Sequence, residues 1–155
     1  MAKNIIALFD AWTSFTITLA SLASGSARQA SMIDNTALCR HGAVIYLDLM
    51  SGASAPTAGA IYEVYLIRRT DTATQADDFA GDTDAGITIE EAAFMWGFNL
   101  TNTTNKHFRG SFDTGGMGML GDHWTIAVKN SSGQALNGTE SNMVKKYQAY
   151  GYQIT

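Results

Sequence analysis

The chain is poor in cysteine, proline and charge. It has one cysteine, Cys39, so an internal disulfide and any cysteine-rich zinc site are excluded. A lone, mildly apolar thiol of this kind is expected to pack rather than react. It has one proline, Pro56, and charged residues make up 15% of the sequence, against roughly 25% in an ordinary soluble domain. The net charge is −4, with no basic stripe of the kind that wraps nucleic acid. No run of apolar residues is long enough for a membrane-spanning helix. The opening MAKNIIALFDAW carries one lysine and an apolar run that Asp10 interrupts, too short for a secretory leader. Synthesis in the cytoplasm is therefore expected.

A surface this poor in charge must be covered by Ser, Thr, Asn, Gln and Gly. Such exteriors are common where neighbours in an assembly bury them. At 155 residues the chain is the length of one domain with a proper core. Asn-x-Ser/Thr sequons at Asn99, Asn102, Asn130 and Asn137 read as by-products of a chain rich in Asn and Thr.

What is present is β-pattern. Residues 14–19 alternate, with Phe15, Ile17 and Leu19 inward and Ser14, Thr16 and Thr18 outward. Residues 43–49 do the same, Ile45, Leu47 and Leu49 against Tyr46 and Asp48. Residues 61–69, dense in Ile, Val and Tyr, form the strongest β run. Residues 71–86 are a polar loop with five aspartates. Residues 92–100 and 106–112 read as two further strands, although 90–96 would also suit a helical turn. Near the end, Trp124, Ile126 and Val128 alternate with Thr125, Ala127 and Lys129, and Asn130-Ser131-Ser132-Gly133 supplies a turn. Asn137-Gly138 is the dipeptide best suited to a tight hairpin, so the chain is expected to close on one. Six to eight short strands without a long helix predict an all-β sandwich.

Each chemical signal has a plainer reading. Gly116, Gly118 and Gly121 match the dinucleotide-fingerprint spacing, but a strand follows where a helix N-terminus is required. A glycine loop packed by Met117 and Met119 is expected instead. Asp82 and Asp84 alternate as calcium ligands do, with Asp77 and Asp78 just before. The twelfth loop position would fall on Ala93, however, so a solvated acidic loop is the expectation and Asp82 and Asp84 remain only a weak metal candidate. His41, His107 and His123 have no metal-ligand spacing, and no G-x-S-x-G elbow presents a nucleophile. Glu90-Glu91 and Asp77-Asp78 are sequence neighbours, which a strand would point to opposite faces. Tyr147, Tyr150 and Tyr152 are expected as core or subunit contacts. No enzyme and no cofactor follow from these residues.

The segment Ser26-Ala27-Arg28-Gln29-Ala30-Ser31-Met32-Ile33-Asp34-Asn35 resembles the opening motif of small tailed-phage virion proteins, where an Arg-Gln-Ser-like strand runs into an Asp-Asn turn. HWTIAVKNSSGQAL is similar to their penultimate strand and hairpin, and residues 61–69 to their central Tyr/Val-rich strand. The likeness covers most of the chain from Ala20 onward and points to the jelly-roll decoration, or cement, proteins of phage capsids. Two stretches depart from it: Leu38-Cys39-Arg40-His41-Gly42, where a polar continuation would be usual, and the apolar residues 4–12.

The resemblance implies a jelly-roll-like antiparallel sandwich over residues 14–155. Residues 1–13 are then either an arm onto a neighbouring subunit or a first strand, and both stay open. It implies a non-enzymatic virion protein on the outer capsid surface, made in the host cytoplasm, with the major capsid protein and itself, as a homotrimer, for partners. The contact residues expected are Ile5, Ile6, Leu8, Phe9 and Trp12, with Arg28 and Gln29 as a second set. Two rivals remain: a tail-associated carbohydrate- or receptor-binding module, and a small hydrolase on the same sandwich.

Overall fold

The strands pair outward from a single fold-back near the middle of the chain. The computed structural model describes residues 5–69, 80–90 and 92–154. Innermost, β6 (Ile61–Arg69) pairs with β8 (Ala93–Asn99). Next, β5 (Gly42–Met50) pairs with β9 (His107–Asp113). Then β3 (Ala27–Gln29) and β4 (Ile33–Asp34) share one edge of β10 (His123–Asn130). Outermost, β1 (Ile5–Phe9) and β2 (Thr13–Ser14) share one edge of β11 (Val144–Ile154).

Rolling this nested ladder brings β11 beside β5 and β10 beside β6. Two antiparallel sheets result. One runs β1/β2–β11–β5–β9; the other runs β3/β4–β10–β6–β8, with β7 (Ala85–Ile87) added on β3. This is the rolled-up, two-sheet arrangement of a jelly roll. The fold is an all-β sandwich.

The core lies between the sheets. Ile45, Leu47 and Leu49 of β5 are essentially inaccessible, as their alternation predicts, and so are Val64 and Leu66 of β6. Trp124 sits at the centre with no exposed surface, edge-on to Phe15 at 6.0 Å and Tyr147 at 5.2 Å. At one side Trp96 of β8 stacks on Phe112 of β9 at 5.8 Å, fastening the two sheets where their edges meet. On the outer face of the second sheet a smaller cluster of Tyr65, Ile67 and Ala127 is covered by Met32, Ile87, Ile89 and Ala92. That cover is why β10 is buried on both faces, including its Thr125.

Several sequence expectations change. Residues 14–19 keep their alternating burial, but only Thr13–Ser14 joins a ladder. The Phe15 N–H bonds to the Lys145 carbonyl in one sheet, while the Thr16 carbonyl accepts from the Ser31 N–H beside the other. The segment therefore crosses between the sheets. The closing hairpin at Asn137-Gly138 does not form, because β10 and β11 belong to different sheets and residues 131–143 cross between them. Neither residue has positive φ. The Asn137 carboxamide oxygen instead accepts the Thr139 N–H at 2.9 Å, a turn local to the crossing.

Residues 93–96 are strand rather than helical turn, with a bulge opposite Val64 and Tyr65. Cys39 is exposed and left-handed (φ 45°) rather than packed. Of the two methionines in the glycine loop, Met117 packs on the core and Met119 is exposed. The acidic loop ends earlier than expected because β7 begins at Ala85; Asp71, Asp77 and Asp78 lie outside the described residues.

Candidate interaction surface

The run Ile5-Ile6-Ala7-Leu8-Phe9 has an apolar side chain at every position, so a strand formed from it has no polar face. It pairs with the end of β11 in register, Ile5 opposite Ile154 through Phe9 opposite Tyr150. Beyond Tyr150, β11 has no strand partner other than β1 among the described residues, since β5 begins at Gly42, opposite Tyr150. Residues 5–8 and 151–154 therefore stand out as a two-stranded ribbon. Ile5, Ile6, Leu8 and Phe9 are 42–71% exposed and Trp12 is 47% exposed. β1 is thus an edge strand whose side chains are exposed on both faces. Its outer edge carries a row of backbone donors and acceptors, the template that edge strands offer to another chain.

The ribbon is anchored at one end. Phe9 packs on Tyr150 at 5.4 Å, and Tyr150 on Tyr152 at 5.9 Å, with His41 against Tyr152. The Tyr150 hydroxyl donates to Asp113 Oδ1 at 2.8 Å. Burial, together with that carboxylate, pushes the Tyr150 phenol well above its usual range. A Cβ on Gly42 would overlap the Tyr150 ring, and one on Gly115 would overlap its hydroxyl. Behind the ribbon Arg40 grips Asp10 with two parallel hydrogen bonds, Nε to Oδ2 at 2.8 Å and Nη2 to Oδ1. The Gln148 amide donates to the Asp10 carbonyl at 2.9 Å. The chain is thus held at Phe9 and Asp10 and projects from there.

Trp12 turns to the outer face of the first sheet, beside a shallow hollow of about 280 Å³ shared with Tyr46, Ser111, Val144 and Lys146. Further along that face Asp48 is nearly inaccessible, accepting from His107 Nδ1 at 2.7 Å and Arg109 Nε at 2.8 Å. The Asp48 bond raises the Arg109 guanidinium.

The structure brings Ile5, Ile6, Leu8, Phe9 and Trp12 together along one edge and places Arg28 and Gln29 on the other sheet. Gln29 is fully buried. Its amide donates to the carbonyls of Gly81 and Thr83, and its carbonyl accepts the Ala80 N–H, so it staples the loop before β7. Arg28 is paired with Asp84, which also accepts the Thr18 N–H at 2.9 Å. Partial burial raises the Asp84 carboxyl, but the bonds from Arg28 and Thr18 outweigh it and hold the group below its usual range. Asp82 faces Arg69 at 3.0 Å. Both acidic candidates for a metal therefore have arginine partners, and among the described residues no three of His, Cys, Asp and Glu gather as a metal-binding group.

Sequence reasoning missed Arg40, Asp10 and Tyr46. The only signal for Tyr46 was its place on the outward positions of β5; nothing in the sequence pairs Arg40 with Asp10, 30 residues apart. Comparison with protein-family models and with curated proteins found no match to this chain.

Proposed function

We infer that this is a non-enzymatic structural protein that docks onto a larger assembly, a decoration protein on the outside of a phage capsid that bridges major capsid protein subunits. The observation that carries the docking reading is β1 of the β1–β11 ribbon, apolar on both faces and open along its outer edge. Partners add to such edges through main-chain hydrogen bonds, with side chains supplying selectivity. The capsid as partner rests on the resemblance over residues 26–35, 61–69 and 123–136. A homotrimer would present three ribbons at once, and linked contacts multiply affinity without new chemistry.

The test is deletion of residues 2–12 followed by binding to purified shells, with location in particles read by labelling. The expected result is a folded sandwich that no longer binds. A truncated protein that binds shells normally removes the ribbon from the function. A protein found on the tail moves the reading to the second possibility, a carbohydrate- or receptor-binding module. The exposed indole of Trp12 beside Tyr46, Lys146 and Ser111 is the feature that favours it.

A further inference from the structure

Far from the ribbon, where the segment 15–20 crosses between the sheets, a lysine and a glutamate meet in an unusual setting. Glu140 opens the short 3-10 helix Glu140–Asn142, and Lys145 lies just inside β11. The Lys145 side chain is only 10% exposed, and its Nζ contacts Glu140 Oε1. The other carboxylate oxygen, Oε2, accepts two backbone N–H groups, Leu19 at 2.8 Å and Ala20 at 2.6 Å. Lys145 Nζ has one further acceptor, the Ile17 carbonyl at 3.4 Å.

The donors and acceptors are counted easily. An ammonium has three protons to place, and among the described residues this one has two acceptors. An amide linking the two side chains would need one acceptor for its N–H and donors for its carbonyl oxygen. The Ile17 carbonyl would meet the first need and the Leu19 and Ala20 N–H groups the second. The surroundings thus satisfy the condensed product more completely than the ion pair.

We propose that Glu140 and Lys145 are joined by an intramolecular amide bond, formed by the folded chain itself. Burial pushes the Lys145 amine below the usual lysine range, against the opposing charge of Asp84, which favours the neutral nucleophile. The steps balance without an external reagent. A proton passes from Nζ to Oε1, and the Nζ lone pair attacks Cδ. The charge that develops on Oε2 falls on the Leu19 and Ala20 N–H groups, placed as an oxyanion hole is placed. A second Nζ proton goes to Oε1, the Cδ–Oε1 bond breaks and water leaves. One hydrogen stays on the new amide nitrogen. Holding both groups in contact replaces a bimolecular encounter with an intramolecular one. The bond would lock the start of β11 to the preceding turn, and through Oε2 to the crossing segment.

The full chain, purified and denatured, is weighed by mass spectrometry. The expected mass is the sequence mass less one water, with the loss confined to a tryptic peptide in which cleavage after Lys145 is blocked. Lys145→Arg keeps a cation for the ion pair but lacks the nucleophile, and is expected at its full mass. Glu140→Gln is expected to lose ammonia instead and to reach the same final mass as the unmutated chain. An unmutated chain at its full sequence mass overturns the proposal. So does a water loss that persists in Lys145→Arg, which would place the dehydration elsewhere.

Discussion

Tyr150 reaches across the outer face of the first sheet to Asp113, donating a 2.8 Å hydrogen bond between β11 and β9, with β5 running between them. The ring crosses over Gly42 on β5 and its hydroxyl lies against Gly115 beyond β9; both leave room because they have no side chains. Phe9 then packs on the same ring. One tyrosine therefore couples the root of the exposed ribbon to three strands of the sandwich.

Gly42→Ala and Gly115→Ala are each expected to displace that ring. The hydroxyl would leave Asp113 and the Phe9 contact would open, for a loss of about 1–3 kcal/mol, the usual scale for overpacking. Urea unfolding measures the loss. Tyr150→Phe, which keeps the ring and removes only the hydrogen bond, should cost about 1 kcal/mol. An alanine at Gly42 that costs less than the phenylalanine would show that the ring is not confined there.

Trp124→Ala should cost about 3–5 kcal/mol, the range for a fully buried aromatic truncated in a core. The truncation removes the edge contacts to Phe15 and to Tyr147 of the first sheet. Chemical denaturation gives the value, and near-UV circular dichroism reports the loss of aromatic packing.

Gln29→Leu keeps side-chain volume but removes all three hydrogen bonds to residues 80–83. Two carbonyls and one N–H would be left without that partner, at about 1–3 kcal/mol. Hydrogen exchange should show the Ala80 amide losing protection far more than the amides of β10. Equal loss throughout would mean that Gln29 supports the whole sheet rather than the loop.

Asp84 gives a pH dependence whose sign follows from its lowered value. The folded protein keeps the carboxylate ionised below the usual aspartate range, so the unfolded chain binds more protons in that window. The stability this contributes is complete above about pH 3.8 and is lost as pH falls through the folded value. Unfolding of Asp84→Asn should therefore show a shallower acid decline than the unmutated chain, with the gap between them narrowing toward low pH. Parallel curves would remove Asp84 from the acid response.

The amino-acid sequence alone determined the local part of this protein. β6 spans 61–69, the run dense in Ile, Val and Tyr, and β10 spans 123–130, where Trp124, Ile126 and Val128 alternate with Thr125, Ala127 and Lys129, because strand propensity and strand faces are set residue by residue. Alternation survives even at Phe15, Ile17 and Leu19, where the ladder does not. The apolar run from Ile5 to Phe9 was equally plain. What the sequence does not carry is pairing. Asn137-Gly138 permits a tight hairpin but does not compel one, and the neighbours of β11 are β1, β2 and β5, whose identity depends on how the ladder rolls. The same holds for side chains. Only the tertiary structure turned Gln29 inward, brought Arg28 to Asp84 across 56 positions, and left β1 on an edge with both faces exposed. Periodicity is a property of a few consecutive residues, whereas an edge, a partner and a buried amide are properties of what the rest of the chain places alongside.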